Sequence, residues 1–338
     1  MSGRNRRFVL RERPSGRIGP GTFELVEEPV PEIVDGEALV RTQWISLDPA
    51  SRGWIRDAPS YVPPVGIGEV MRARGLGRVV ASKHPGCREG QLVTGALGWQ
   101  EWAVARDAAA LEPVSEIAGV PARAYLGVLG LTGVTAWVGM TDIGRPHAGE
   151  TVVVSAAAGA VGSVAGQIAK RRGARVVGIA GGEEKCSLLM ERLGFEAAVD
   201  HRAGDWRERL VAATPRGIDV DFENVGGEIM DAVFARLNLH ARVALCGLIS
   251  SYNDLELPPG PRNFLTLLIQ RVRLQGFIVL DHLDRRGDAL EELSGWLAAG
   301  ELEALETVVK GFEQLPTAIN MLFDGTNVGK LLVHVADD

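Results

Sequence analysis

Hydrophobic positions along this chain follow two regimes. Over residues 1–123 they come in short runs broken by Gly and Pro, without helical periodicity, as in a β-rich, barrel-like unit. Strands are predicted at 23–28, 37–45, 76–82 and 101–104, with a long irregular stretch at 46–74 between the second and third. Loops of that length often carry function. From residue 151 onward, short β-branched runs alternate with helical patterns, which predicts a parallel sheet covered on both faces. The strands fall at 152–154, 175–179, 197–200, 220–223, 242–249 and 274–280; helices are predicted at 206–213, 228–237 and 262–272, and one over 125–141 precedes the sheet. Residues 305–335 read as strand, helix (315–323) and strand (329–335), and are expected to return to the first unit.

The stretch 151–185 organises the rest. It reads as strand, glycine turn, helix and second strand, with Ala157, Gly159 and Gly162 filling the frame G-x-G-x-x-G. Gly159 would let backbone approach a pyrophosphate, Gly162 would let the helix lie close on the strand, and the first helical N–H groups would point at the phosphates. Val161, Val164 and Ile168 form one side of that helix, and Lys170, Arg171 and Arg172 close it. A dinucleotide is expected here.

The end of the second strand selects the dinucleotide. An NAD site usually places an acid there to hold the ribose 2′-hydroxyl. This chain instead has Ala180-Gly181-Gly182, which leaves room for a 2′-phosphate, and Lys185 is placed to pair with it. Glu183 and Glu184 suit the N-terminus of the next helix. NADPH is favoured.

Composition narrows the classes further. A length of 338 residues suggests two domains, and a net charge of −7 without a basic stripe argues against a nucleic-acid partner. The cluster Arg4, Arg6, Arg7, Arg11 and Arg13 is the local exception, read as a solvated, partly flexible start. No apolar run approaches membrane-spanning length and the start has no apolar core of a signal peptide, so a cytoplasmic protein is expected, with no membrane partner. Cys87, Cys186 and Cys246 lie far apart and form no zinc or disulfide pattern. No metal is expected. Cys186, near the anion position, and Cys246, in an apolar strand, both read as packing residues first. Asp48 and Glu69 read as acids that tie their own loop.

Several longer motifs together resemble one family. They are SLDP at 46–49, SYVPPVGIGEVM at 60–71, GRVVASKHPG at 77–86, GWQEWAV at 98–104, AAAGAVG at 156–162 and GGEEKC at 181–186. FENVGG at 222–227, CGLISSYN at 246–253, RLQGFIV at 273–279 and NVGKLLV at 327–333 complete the set. The chain resembles the zinc-independent medium-chain dehydrogenase/reductases, within them the NADPH-dependent alkenal double-bond reductases, which include prostaglandin reductases, plant double-bond reductases and bacterial curcumin reductases. In its second half the chain resembles the bacterial curcumin reductases in particular.

The resemblance implies an α/β fold: a Rossmann doubly wound parallel sheet plus a GroES-like β-rich domain. Its divisions are a GroES-like catalytic domain at 1–123, an NADP-binding domain at 124–299 and a returning segment at 300–338. It implies Lys185 as the 2′-phosphate lysine, with Gly182 and His201 beside it, and Tyr252 as the tyrosine beside nicotinamide and substrate. Asn224, Val225, Cys246, Gly247, Phe277, Val279 and Asn327 would line the cofactor. Ala50, Tyr61 and Tyr252 would line the substrate pocket. A homodimer through the edge strand 274–280 is implied as well. The implied reaction is NADPH-dependent reduction of the C=C bond of α,β-unsaturated aldehydes and ketones, curcumin-like substrates included, without metal. Two departures stand out. Ala50 replaces an aromatic wall of the pocket, and His201 stands where many relatives have a tyrosine, so the pH dependence of cofactor binding becomes open. Quinone reduction, or cofactor binding without catalysis, are the alternatives on the same scaffold.

Overall fold

The computed structural model describes residues 3–256 and 259–337. The chain packs into two compact units, one from Met1–Leu126, Thr307–Asn327 and Leu331–Asp338, the other from Gly127–Glu306 with Val328–Lys330. The first unit opens on β1 (Arg4–Leu10), paired antiparallel along its length with β2 (Phe23–Pro29). This corrects the expectation of a flexible arginine-rich start. Arg4 pairs with Glu27 at 3.0 Å, Arg6 with Glu101 at 2.7 Å, and Arg7 with Glu28. Long cationic side chains reach acids on neighbouring strands while Phe8, Val9 and Leu10 enter the core, so the segment is a strand without clean alternation.

β3 (Ala38–Leu47) leads into the short helix α1 (Ser51–Trp54), followed by β4 (Gly75–Ser82), β5 (Leu92–Gly95), β6 (Trp102–Ala105) and β7 (Glu112–Pro113). The irregular stretch after β3 is tied down by two arginines. Arg13 donates to the carbonyls of Ile55 (2.9 Å) and Val65 (3.1 Å), and the fully buried Arg52 donates to those of Pro14 (3.1 Å) and Gly16 (2.9 Å).

The second unit begins with α2 (Leu131–Val138), which runs on as a π-helix over Gly139–Gly144. The predicted helix over 125–141 therefore starts late. A side chain at Gly133 would stand 1.8 Å from the Val128 carbonyl oxygen, so the glycines here let the helix close onto its own preceding turn. Then come β8 (Thr151–Val154), α3 (Ala160–Arg171), β9 (Arg175–Ala180), α4 (Glu183–Glu191), β10 (Ala197–Asp200), α5 (Trp206–Ala213) and β11 (Ile218–Glu223). α6 (Gly227–Phe234), β12 (Leu237–Leu245), α7 (Phe264–Ile269), β13 (Arg273–Gly276) and α8 (Arg286–Ala298) follow. Among the described residues the strands form a six-stranded parallel sheet in the order β10-β9-β8-β11-β12-β13.

Three predicted boundaries are corrected here. The strand predicted to reach 249 stops at Leu245, because the N–H groups of Cys246 (2.9 Å) and Gly247 (3.1 Å) both turn to the Glu223 carbonyl. The strand predicted at 274–280 ends at Gly276 and gives way to a 3₁₀ turn, Val279–Arg285. The helix predicted at 262–272 is only Phe264–Ile269. α8 was not anticipated, although Leu290, Leu293 and Leu297 recur at helical spacing before Gly300.

The chain closes with β14 (Glu306–Lys310), the short helices α9 (Leu315–Ala318) and α10 (Met321–Asp324), and β15 (Lys330–His334). In the first unit β15 pairs antiparallel with β3, which also holds β4 and β6. Its core gathers Phe8, Leu10, Ile45, Met71, Trp99 and Phe312, with the Phe8 and Phe312 rings stacked at 5.2 Å.

Candidate cofactor and active site

In a doubly wound sheet, the crevice for ligands lies beyond the C-terminal ends of the strands where the order of winding reverses. Here the reversal falls between β8 and β11, since β9 and β10 extend one way and β12 and β13 the other. The predicted residues that follow β8, β9, β10, β11 and β12 thus share one edge of the sheet.

After β8 the chain passes through Ser155 and Ala156 into the glycine turn. Ala156, at φ 47°, takes the left-handed conformation that sequence reading assigned to no residue. Ala157 is fully buried, and a side chain at Gly178 would meet its Cβ at 2.9 Å. Gly159 caps α3, whose first-turn N–H groups, from Ala160, Val161 and Gly162, have no acceptor within the helix. A Cβ on Gly162 would lie 2.5 Å from the Ala156 carbonyl oxygen, so glycine there is a packing requirement. The turn is braced from outside by Gly329, whose N–H donates to the Ala158 carbonyl at 2.7 Å.

After β9 and β10 lies a cationic corner. Gly182, at φ 98°, caps α4, and its N–H donates to Asp200 Oδ1 at 2.7 Å; the same oxygen accepts from the Arg202 N–H at 2.9 Å. These backbone donors hold the Asp200 carboxyl below its ordinary range against the opposing effect of desolvation. The corner is thereby folded so that His201 Nε2 and Arg202 Nε each lie 2.9 Å from the place a Gly181 side chain would occupy. Burial first, and Arg202 second, lower the pKa of both Lys185 and His201. An anion bound at this corner would favour the charged forms of Lys185 and His201 against the cost of their burial. The donor set fits the 2′-phosphate of NADPH. Arg202 was missed at the sequence level, where a basic residue after a strand has no distinguishing sign.

After β11 and β12 lies a denser network. Ser155 Oγ donates to Glu223 Oε1 at 2.8 Å and accepts from the Asn224 N–H at 2.7 Å, while Asn224 Nδ2 donates to the Ser155 carbonyl at 2.7 Å. Glu223 Oε1 also accepts from the N–H groups of Val225 and of Gly226 (2.9 Å). Beside Asn224, a side chain at Gly247 would stand 3.1 Å from the Tyr252 hydroxyl, and the Leu248 N–H donates to that hydroxyl at 3.4 Å. The structure therefore brings Asn224, Val225, Gly247 and Tyr252 together. Desolvation, with Glu223 adding to it, pushes the Cys246 thiol up to about 12, and Cys186, desolvated near Asp200, is pushed up to about 11. Both are neutral packing groups. Ser155 and Glu223 were also missed: the strand predicted at 220–223 is there as the central β11, but its acids were assigned no role, and Asp221 and Glu223 prove to be fully buried.

Phe277 lies 9% exposed against the Phe222 ring, 6.4 Å between centroids, and beside Gly139 of the π-helix; Val279 opens the following 3₁₀ turn. In the first unit, Asn327 is buried two residues before Gly329. Ala50 caps α1, and the Tyr61 hydroxyl accepts from Trp54 Nε1 at 3.3 Å. Asp48 accepts from Ser46 Oγ at 2.5 Å and Glu69 from the Gly66 N–H at 2.8 Å, so each ties its own loop. Among the described residues no group of three or more His, Cys, Asp or Glu side chains is arranged to hold a metal ion.

Comparison with known proteins follows the same division of the chain. Residues 6–114 match the family described as N-terminal domain of oxidoreductase, and residues 160–295 the family described as zinc-binding dehydrogenase. The chain is 44% identical to the NADPH-dependent curcumin reductase of Escherichia coli (strain K12), over 99% of this chain and 98% of that protein. It is 36% identical to the NADP⁺-dependent 2-alkenal reductase of Nicotiana tabacum, over 98% of each. The crystal structure of CurA in complex with NADPH from Vibrio vulnificus superposes with a TM-score of 0.94 at 42% identity, covering 98% of this chain and all of that one. With the β-rich unit, the doubly wound sheet and these full-length similarities together, the chain belongs to the zinc-independent medium-chain dehydrogenase/reductases, in their branch of double-bond reductases.

Proposed function

We propose that this protein is an NADPH-dependent reductase of the C=C bond of α,β-unsaturated aldehydes and ketones, curcumin-like dienones among them. The observation that carries the reading is that one sheet edge holds both the cationic corner of Lys185, His201 and Arg202 and the Tyr252 hydroxyl seated over Gly247. The names of the full-length relatives support the same chemistry. NADPH, when bound, supplies the hydride, delivered to the β-carbon of the substrate. The chain's part is to orient and to stabilise charge. Lys185 and Arg202 hold the 2′-phosphate and the first turn of α3 holds the pyrophosphate. The Ser155–Glu223–Asn224 network fixes the backbone at 224–226. Tyr252 presents a phenolic O–H where negative charge collects on the carbonyl oxygen, and water supplies the proton to the α-carbon. Ala50, in place of a bulkier wall, and Tyr61 set the width of the substrate pocket.

The test is NADPH oxidation against a panel of enals, enones, curcumin-like dienones and quinones, with product identified. Saturated carbonyl products from the enones are expected. Faster turnover of quinones would transfer the reading to quinone reduction, and cofactor binding with no turnover would make the chain a non-catalytic NADPH-binding protein.

A homodimer through the β13 edge belongs to the same reading. It is supported by β13 being exposed along its length and by the exposed apolar side chains Phe264, Leu265, Leu268 and Ile269 of the adjoining α7. Sedimentation of the protein and of a Leu268→Glu variant tests it, a monomeric wild type being the adverse result. Three unpaired cysteines suit a reducing compartment, the cytoplasm, which fractionation of cells would check. No described helix is long and apolar enough to cross a membrane.

A further inference from the structure

The reaction leaves one pair of buried groups without a use. Asp221 and Glu223 are both fully buried on the central strand β11, two residues apart and so on one face of it. Asp221 sits in register between Val153 of β8 and Val243 of β12, and neither of its carboxyl oxygens has a hydrogen-bond partner. Glu223 is satisfied on one side only: Oε1 accepts from Ser155, Val225 and Gly226, while Oε2 has no partner. An ionised Asp221 would place a bare charge among valines, which is far costlier than holding a proton. A protonated Asp221 has a donor and needs an acceptor, and Glu223 Oε2 on the same face is an acceptor that needs a donor.

We propose that Asp221 is a protonated acid that donates its hydrogen bond to Glu223 Oε2, and that it thereby acts as a positioning residue for the cofactor-facing turn. One proton shared in this way satisfies the empty oxygen and leaves Oε1 charged, where it grips the turn N–H groups. The titratable groups facing Glu223 are Asp221 and the neutral thiol of Cys246; burial pushes both acids upward and the Glu223 charge pushes Asp221 further, as one retained proton requires. Through Ser155 the same carboxylate joins the turn after β8 to the turn after β11, so the proton on Asp221 braces both sides of the switch point at once. The positioning half rests on the reading that the turn at 224–226 lines the cofactor.

Infrared difference spectroscopy at neutral pH, on full-length protein labelled with ¹³C at the aspartate carboxyls, tests the proton directly. A protonated-carboxyl carbonyl band that shifts with the label, and is lost in Asp221→Asn, is expected. Absence of the band, or its persistence unshifted in the labelled protein, overturns the proposal. NADPH affinity tests the positioning. Asp221→Asn keeps a donor and should bind within about twofold of wild type, whereas Asp221→Leu removes it and should bind about tenfold more weakly. Equal affinity in Asp221→Leu and wild type overturns the positioning role. Val225→Trp separates the two ideas: if it too binds NADPH normally, the fault lies in the placement of the turn and not in the proton. The spectroscopic result stands even if Asp221→Leu does not fold.

Discussion

The two halves of the sheet edge solve opposite electrostatic problems. Beyond β9 and β10, His201 and Arg202 crowd around Gly181 and Lys185 feels the Arg202 charge, while burial lowers the pKa of Lys185 and His201. On one face of β11, Asp221 and Glu223 lie two residues apart, and burial raises the pKa of both. The cationic corner is half open and stands ready for a ligand's charge. The acidic pair is closed, so its relief has to come from within, as a retained proton. The contrast separates a group strained in order to bind from a group strained in order to hold.

The largest effect should come from the open side. Lys185→Ala combined with Arg202→Ala should reduce the preference for NADPH over NADH by about 100-fold in kcat/KM. Equal losses with both cofactors would break the assignment of the corner. Gly162→Ala is the complementary control. Its new methyl meets backbone at 2.5 Å, so it should destabilise the unit by about 1–3 kcal/mol and weaken NADPH and NADH alike, measured by thermal unfolding and titration. A smaller effect is expected for Tyr252→Phe: kcat lower by about tenfold with NADPH affinity unchanged, if the hydroxyl stabilises enolate charge. An unchanged kcat would leave Tyr252 as a wall.

The smallest effects are in pH, and they have opposite signs. His201 is held below its unfolded pKa of about 6.5, so the folded state binds fewer protons than the unfolded chain. Its contribution to stability is present above about pH 6.5 and is lost as pH falls below it. His201→Gln should flatten that acid limb. Asp221 is held above its unfolded pKa of about 3.9, so its contribution is best in acid and declines as pH rises from there. The stability of Asp221→Asn relative to wild type should therefore grow from about pH 4 upward. Denaturant unfolding across pH measures both, and parallel shifts in the two variants would dissolve the contrast.

These differences also explain what could be read from residues alone. The order of strands and helices from β8 to β13 was legible because β-branched runs, glycine turns and helical spacing are local properties. Ala157, Gly159, Gly162, Gly182 and Lys185 could be proposed from residues alone because their spacing along one βαβ unit is a local property. Arg202 and Glu223 could not, because what they meet depends on what the next strand brings beside them. A strand at 220–223 was legible, but only the sheet order shows that β11 is its central member and which turns its acids face. The late start of α2 and the early end of β13 were illegible for a similar reason. The first is set by Gly133 against the Val128 carbonyl, and no periodicity distinguishes a strand end from the 3₁₀ turn that follows β13. The arginines of β1 were misread because their acids lie 21 to 95 residues away.

The brace from Gly329 has a consequence for biosynthesis. The glycine turn at 155–159 leaves the ribosome about 170 residues before the segment that bonds to it, and β3 is made nearly 300 residues before its partner β15. Both units therefore wait on one short stretch, 328–334, before either is complete. During translation the nascent chain presents an open edge on β3 and an unbraced turn, the exposed features that chaperones recognise and that favour aggregation. Ribosome-arrested chains stopped before residue 328 should be held by chaperones and fail to retain the dinucleotide, and release should come with the last dozen residues.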